Sequence, residues 1–301
     1  MSDSEHLSNL LPETRLALSM SDKDRLHTLR TEKWFGYPTA VDILDSFKEL
    51  LDYPRKPRMP GTLLVGETNN GKTSILSRFV SLNPSYEGEE ATIIPVMSVQ
   101  APPSPDLSAF YSQILHRLAV PYRNTDKTSK KEQLVHHYFA LCSVRMLIVD
   151  EIHNILSGTV PKQKVFMNAL KNLSNELMIP IVLAGIPDAL HATNTDSQIS
   201  NRFKPVFLPR WKLDRSFLSL LASIEKTLPL KKPSNLGTTK ELALAIADQA
   251  EGYIGEIVEL VTKAAELAIK NGVERITKDE IQLCGFVKPS MRKSHAEIAG
   301  L

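Results

Sequence analysis

Gly66-Glu67-Thr68-Asn69-Asn70-Gly71-Lys72-Thr73, entered through Thr62-Leu63-Leu64-Val65 and continued by Ser74-Ile75-Leu76, is the stretch that decides the fold. It matches G-x-x-x-x-G-K-[ST], and it has the short apolar run before it and the helical pattern after it that the motif requires. The two glycines let the backbone turn tightly enough for successive N–H groups to surround phosphate oxygens. The N-terminus of the following helix adds its dipole and its unsatisfied N–H donors. Gly66, Glu67, Thr68, Asn69, Asn70, Gly71, Lys72, Thr73 and Ser74 are therefore expected to cradle ATP. Lys72 is expected at the β- and γ-phosphates, and the Thr73 hydroxyl on Mg²⁺.

Working outward, Met146-Leu147-Ile148-Val149 reads as a buried strand that ends in Asp150-Glu151, 78 positions after Lys72. The carboxyl ends of strands in a parallel sheet share one edge, so this strand can deliver Asp150 to Mg²⁺ beside the loop. Glu151 then stands where it can polarise the attacking water. Further strands are expected at Thr62 to Val65, Ala91 to Val96, Ile179 to Ala184 and Pro205 to Leu208. Helices are expected at Ala40 to Leu51, with Val41, Leu44, Phe47 and Leu51 as its apolar stripe, and at Lys72 to Val80, Asp106 to Leu118, Lys131 to Cys142 and Lys164 to Glu176. This alternation predicts an α/β fold, a P-loop core whose parallel five-stranded sheet carries helices on both faces.

After Pro209 only helical patterns remain, at Leu213 to Leu228, Thr238 to Ala250, Gly255 to Lys270 and Thr277 to Leu283, which predicts a small C-terminal helical lid. The expected organisation is an N-terminal arm over 1–33, the nucleotide-binding core over 34–210, the lid over 211–285 and a basic tail over 286–301.

Composition narrows the function classes. With 42% apolar and 23% charged residues among 301, the chain is of ordinary globular type, and its two cysteines are too few for a disulfide framework. The longest apolar runs are strand-sized, so no membrane span is expected, and the N-terminus lacks a secretory pattern. Cytoplasm is the expected location. Neither Glu67 to Asn70 nor the Thr193 to Asp196 loop has the His or Cys spacing of a zinc site. The net charge of +2 is nearly balanced, but Arg123 to Lys131, Lys226 to Lys232 and Lys288 to His295 are locally basic and could meet phosphates.

Gln198-Ile199-Ser200-Asn201-Arg202-Phe203 places Arg202 where a helix should end. Two readings are open: a cation that satisfies the helix carbonyls, or an arginine finger that reaches in trans into a neighbouring subunit's ATP. Trp34-Phe35-Gly36-Tyr37-Pro38, Arg58-Met59-Pro60, Ile152-His153-Asn154 after the acidic pair, Leu208-Pro209-Arg210-Trp211 and Glu251-Gly252-Tyr253-Ile254-Gly255-Glu256 complete the distinctive segments. With the P-loop and the Asp150-Glu151 strand, they make the chain resemble AAA+ ATPases, and more narrowly the TniB and TnsC transposition ATPases, over about residues 30 to 270.

The resemblance implies an ATPase with Glu151, Lys72 and Arg202 as catalytic groups and with Mg²⁺ on Thr73 and Asp150. It implies a homo-oligomer, ring or helical filament, on double-stranded DNA in the bacterial cytoplasm, nucleoid-associated when bound. A TniQ-like target selector and a DDE transposase of TniA or TnsB type are the implied partners. Loops Ser98 to Pro105 and Arg123 to Lys131 are candidates to face the DNA. A helicase or clamp loader of DnaC or IstB type, and an adaptor that binds ATP without hydrolysis, are the alternative readings. Two departures from the pattern stand out. Ile186 follows the fourth strand, where a polar residue usually senses the γ-phosphate, and Gly255 and Glu256 stand where a lid arginine often contacts nucleotide. An acid at that point is expected to repel phosphate.

Overall fold

The computed structural model describes residues 3–193 and 197–292. Residues 194–196 of the Thr193 to Asp196 loop, and residues 293–301 of the expected basic tail with His295, lie outside the described residues. Along the chain, α1 (Asp3–Asn9), α2 (Pro12–Ala17) and α3 (Asp22–Arg30) precede α4 (Pro38–Leu51), β1 (Gly61–Gly66) and α5 (Lys72–Leu82). A short pair, β2 (Tyr86–Glu87) and β3 (Thr92–Ile93), leads to β4 (Val96–Gln100), α6 (Leu107–Arg117), α7 (Thr128–Leu141) and β5 (Met146–Asp150). A 3-10 turn at Ile152–Ser157 opens the way to α8 (Val160–Leu177), β6 (Ile181–Gly185), α9 (Ala189–Thr193), α10 (Ser197–Ser200) and β7 (Phe203–Leu208). Helices α11 (Arg215–Glu225), α12 (Lys240–Ala250), α13 (Ile254–Lys270) and α14 (Lys278–Leu283) follow, with a last 3-10 turn at Pro289–Met291. The chain divides into two units, Pro38–Leu208 and a helical unit built from Met1–Tyr37 with Pro209–Leu301.

In the first unit, β4-β5-β6-β1-β7 form one five-stranded sheet in that order, every pair parallel. The sequence explains which strands lie inside. β1, β5 and β6 are unbroken apolar or small-residue runs and are buried along their whole length, as strands covered on both faces must be. The edge strands β4 and β7 mix buried and exposed positions, and Pro205, which has no N–H to give a ladder, is tolerated in β7 because that strand lies at an edge. Alternate residues such as Leu63, Val65, Leu147, Val149, Ile181 and Leu183 pack with Phe110, Phe139 and Phe166 of α6, α7 and α8 into one apolar core. Phe47 of α4 meets Phe79 of α5 edge to face at 5.5 Å, and α5 packs on β1 and β4.

Several expectations need correction. The strand expected at Ala91 to Val96 is not in the sheet: Thr92–Ile93 pairs antiparallel with Tyr86–Glu87, and the sheet strand starts only at Val96. Pro95 is the reason. Its carbonyl accepts from the N–H groups of Arg145 and Met146 at 3.0 and 3.1 Å, while Ile94 donates to the Cys142 carbonyl at 2.8 Å, so the ladder opens one residue later. Ser98 to Gln100 of the proposed DNA loop therefore belong to β4, and Ala101 and Pro102 behind them are buried. On α4 the buried face is Ala40, Ile43, Phe47 and Leu51, and Val41 is 44% exposed. Counting back from Phe47 in steps of three and four reaches Ile43 and Ala40, so a small residue, not Val41, lies against the core. Helix α7 starts at Thr128, which puts Lys130 and Lys131 in its first turn. There Lys131 is 2% exposed and bonds Ser108 Oγ at 2.9 Å, and Lys130 pairs with Asp126 at 2.8 Å, leaving Arg123 and Lys127 as the outward cations of that run.

Residues 3–30, expected as an arm, are three helices, and α3 packs on α13. What holds α3 is a fully buried arginine. Arg25 Nε and Nη2 donate to the Pro229 carbonyl at 3.2 and 2.6 Å, and the same guanidinium grips both oxygens of Glu274 at 2.9 and 2.5 Å. Burial alone would raise the Glu274 pKa, but the hydrogen bonds and charge of Arg25, with Lys231, hold it below its ordinary 4.5. The stability this carboxylate contributes is therefore present above about pH 4.5 and is lost as pH falls through its folded-state pKa. Glu274→Gln should cost about 3 kcal/mol near neutral pH, because it leaves a buried guanidinium half-paired. Denaturant unfolding should show that the gap between variant and wild type closes on acidification below pH 4.5.

Candidate active site

The P-loop closes on itself through its own backbone. Asn69 and Gly71 take positive φ of 60° and 85°, and Gly71 in that left-handed conformation is the cap from which α5 starts. Asn70 is 1% exposed and donates from Nδ2 to the Leu208 carbonyl at 2.7 Å, which pins the loop to the end of the neighbouring strand β7. Gly66 is where β7 comes close, since a Cβ there would lie 3.1 Å from that of Leu208. Lys72 is 5% exposed and its Nζ donates to the carbonyls of Gly66 and Glu67 at 2.8 and 2.9 Å. Burial lowers its pKa, opposed by the carboxylates of Glu151, Asp150 and Glu67. Thr68, Asn69, Thr73 and Ser74 are exposed, so the rim of the loop is open to a ligand.

Opposite the loop, β5 ends in a carboxylate with both oxygens engaged. The Thr73 hydroxyl donates to Asp150 Oδ2 at 2.8 Å, and the Glu151 N–H donates to Asp150 Oδ1 at 2.8 Å. Glu151 itself takes φ 55° and ψ 35°, a left-handed conformation rare for a residue with a side chain and a mark of a constrained functional position. Its side chain is 35% exposed. A hydroxyl and a carboxylate brought together from α5 and β5 are two hard oxygen donors, the set that Mg²⁺ accepts.

Arg202 is not at this edge. It precedes β7, whose first residue Phe203 stands opposite Gly61 at the amino end of β1. Six residues of strand separate it from the P-loop, roughly 20 Å. Its guanidinium is tucked in, 6% exposed, donating to the Lys171 carbonyl at 3.1 Å and to Asn175 Oδ1 at 2.6 Å on α8. Burial and the nearby Arg58 lower its pKa. The carbonyl it meets lies inside α8 and not at the end of the helix that precedes Arg202, so this is not the helix-end cation of the sequence reading. Ile186 follows β6 as expected and offers no side-chain hydrogen bond. His153, quoted above within Ile152-His153-Asn154 but given no role there, has Nε2 3.2 Å from Glu151 Oε2. Only its place two residues after Glu151 could have drawn attention to it.

In the helical unit, three separate sequence segments converge. The Trp211 N–H donates to the Gly252 carbonyl at 2.8 Å, Tyr37 packs edge-on to Trp211 at 4.9 Å, and Arg210 lies over the Tyr253 ring at 4.4 Å. Burial pushes the Tyr37 hydroxyl up to about 12. Glu256, expected to repel phosphate, does not present a free charge: it is 3% exposed and its carboxylate is held by the Arg292 guanidinium.

Comparison with known proteins decides the family. The model of the family described as "Bacterial TniB protein" matches residues 25–213. The chain belongs to the TniB family. No curated protein sequence matches it. Among solved structures, Cdc6p from Pyrobaculum aerophilum aligns with a TM-score of 0.63 at 16% identity, covering 88% of this chain and 70% of that one. The Aeropyrum pernix ORC1 protein, solved in complex with DNA, aligns at 0.59 and 13% identity, covering 86% and 68%. The Aeropyrum pernix ORC2 protein in its ADPNP-ADP complexes aligns at 0.58 and 13% identity, covering 86% and 70%. At such identities these likenesses speak for the fold, a P-loop AAA+ core. This TniB chain is an AAA+ ATPase and binds nucleotide. Lys72→Ala should weaken binding of a fluorescent ATP analogue about 100-fold, near 2.7 kcal/mol, with circular dichroism unchanged.

Proposed function

We propose that this TniB protein is the ATP-driven regulator of a DNA transposition reaction. It assembles as a homo-oligomer, ring or filament, on double-stranded target DNA, connects a TniQ-like target selector to a DDE transposase of TniA or TnsB type, and is reset by hydrolysis. The bacterial cytoplasm, at the nucleoid when DNA-bound, is its proposed location. The observation that carries the reading is the meeting of Thr73 with Asp150 beside the P-loop, with Glu151 next in the chain, in a protein of the TniB family.

In this reading the N–H groups from Gly66 to Ser74 surround the phosphates, and Lys72 leaves the Gly66 and Glu67 carbonyls to meet the β- and γ-phosphates. Thr73 and Asp150 would hold Mg²⁺, whose charge would offset that developing on the phosphate oxygens. Glu151 accepts the proton of the attacking water as the bond to the γ-phosphorus breaks and ADP leaves. Arg202 acts in trans, since roughly 20 Å of strand separates it from its own P-loop. To reach a neighbour's ATP it must give up Lys171 and Asn175. The proposed division of work is a nucleotide-binding core over about 34–210 and a helical lid over about 211–285. Supporting the DNA partner, the ORC1 protein of similar fold was solved in complex with DNA.

Ile186 favours slow hydrolysis, and an adaptor that binds ATP without turnover is the reading this side chain supports second. One experiment separates them. Glu151→Gln should bind ATP as wild type does, turn it over at least about 100-fold more slowly, and leave long-lived complexes on duplex DNA. If the variant leaves DNA at the wild-type rate, hydrolysis is not the reset; wild-type turnover no faster than the variant's puts the adaptor reading in its place.

A further inference from the structure

Glu151 departs from β5 in a left-handed backbone conformation, so its carboxylate is not aimed by a regular strand or helix. Its side chain is a third exposed and has rotamer freedom that a reacting group must lose. One neighbour restrains it. His153, in the 3-10 turn that follows, brings Nε2 to 3.2 Å from Glu151 Oε2. A proton on Nε2 would let the ring donate to Oε2 and restrain the carboxylate.

The other ring nitrogen is not engaged by the fold. Nδ1 is buried and, among the described residues, has no hydrogen-bond partner. Buried histidines that serve the fold are normally bonded at both nitrogens or at the buried one. Here the polar engagement is with Glu151, and the rest of the ring is fixed by packing. Gly185, the last residue of β6, leaves the space: a Cβ at that position would come within 3.4 Å of Nδ1, 3.2 Å of Ile152 Cγ2 and 2.8 Å of Ala189 Cβ. The turn is tied down as well, since Asn154 Nδ2 donates to the Ala101 carbonyl and the Asn154 N–H to the Glu151 carbonyl.

We propose that His153 is the positioning residue for Glu151: it holds the carboxylate through Nε2 at the carboxyl edge of the sheet and so sets where water is activated. This rests on the reading of Glu151 as the group that takes the proton from water. His153 makes no covalent contribution and transfers no proton itself.

The test is ATP turnover and ATP-analogue affinity of the full chain, with and without duplex DNA, for four single variants and one double. His153→Leu should lower kcat roughly 10- to 100-fold with KM for ATP and analogue affinity unchanged. His153→Gln, whose amide N–H reaches the place of Nε2, should recover most of that loss. His153→Asn, polar but shorter, should behave as Leu does and answers the question if Leu unfolds the chain. In the Glu151→Gln background, His153→Leu should lower turnover no further, a non-additivity that a merely structural role does not produce. Wild-type kcat in His153→Leu or His153→Asn, an equal loss in the Gln variant, or full additivity overturns the proposal while Glu151→Gln remains inactive. Wild-type turnover in Glu151→Gln overturns the reading of Glu151 itself and the positioning role with it.

Discussion

Parallel pairing is the constraint on which the rest depends. Because β1 runs parallel to β6 and β7, and β6 to β5, the carboxyl ends Gly66, Asp150, Gly185 and Leu208 all lie at one edge. Every contact of the candidate active site is local to that edge: Asn70 to Leu208, Thr73 to Asp150, Glu151 to His153. Reversing any one of these strands would move its chemistry to the far side of the sheet. The central strands can be placed this way only because they carry no charged residue before Asp150, so that two covered faces stabilise them.

The same register separates the second set of charges. Arg202 and its neighbour Arg58 belong to the amino edge, so the sheet carries separate sets of charged groups at its two edges. An assembly in which each copy's amino edge meets the next copy's carboxyl edge is heterologous, the kind of contact that generates rings or helical filaments. The helical unit follows a different logic. Its N-terminal helices lack the apolar mass to stand alone, and the buried grip of Arg25 on Glu274 and the Pro229 carbonyl ties α3 to segments some 200 to 250 positions away.

How much of this is legible in the sequence depends on the range of the interactions. The P-loop, the Asp150-Glu151 strand and the strands β1, β6 and β7 are readable because each is a local pattern: a motif of fixed spacing, or a continuous apolar run bounded by breakers. β4 is misplaced because Thr92-Ile93-Ile94 is as apolar as Val96-Met97, and what selects between them is the Pro95 carbonyl bonded to residues 50 positions on. The N-terminal helices look like an arm because Arg25 reads as a surface cation until Glu274 is brought beside it. Glu256 looks like a free acid for the same reason, its partner being Arg292. Arg202 and His153 lie in quoted motifs, yet their partners, Asn175 and the Glu151 carboxylate, are matters of geometry.

Nucleotide at one edge of the sheet is the proposed switch for assembly on DNA. Negative-stain imaging of the purified chain with duplex DNA, with and without a non-hydrolysable ATP analogue, tests that claim most directly. Rings or filaments on the duplex only when the analogue is present are the predicted result. Dispersed particles in both samples, or the same assemblies without nucleotide, would contradict it.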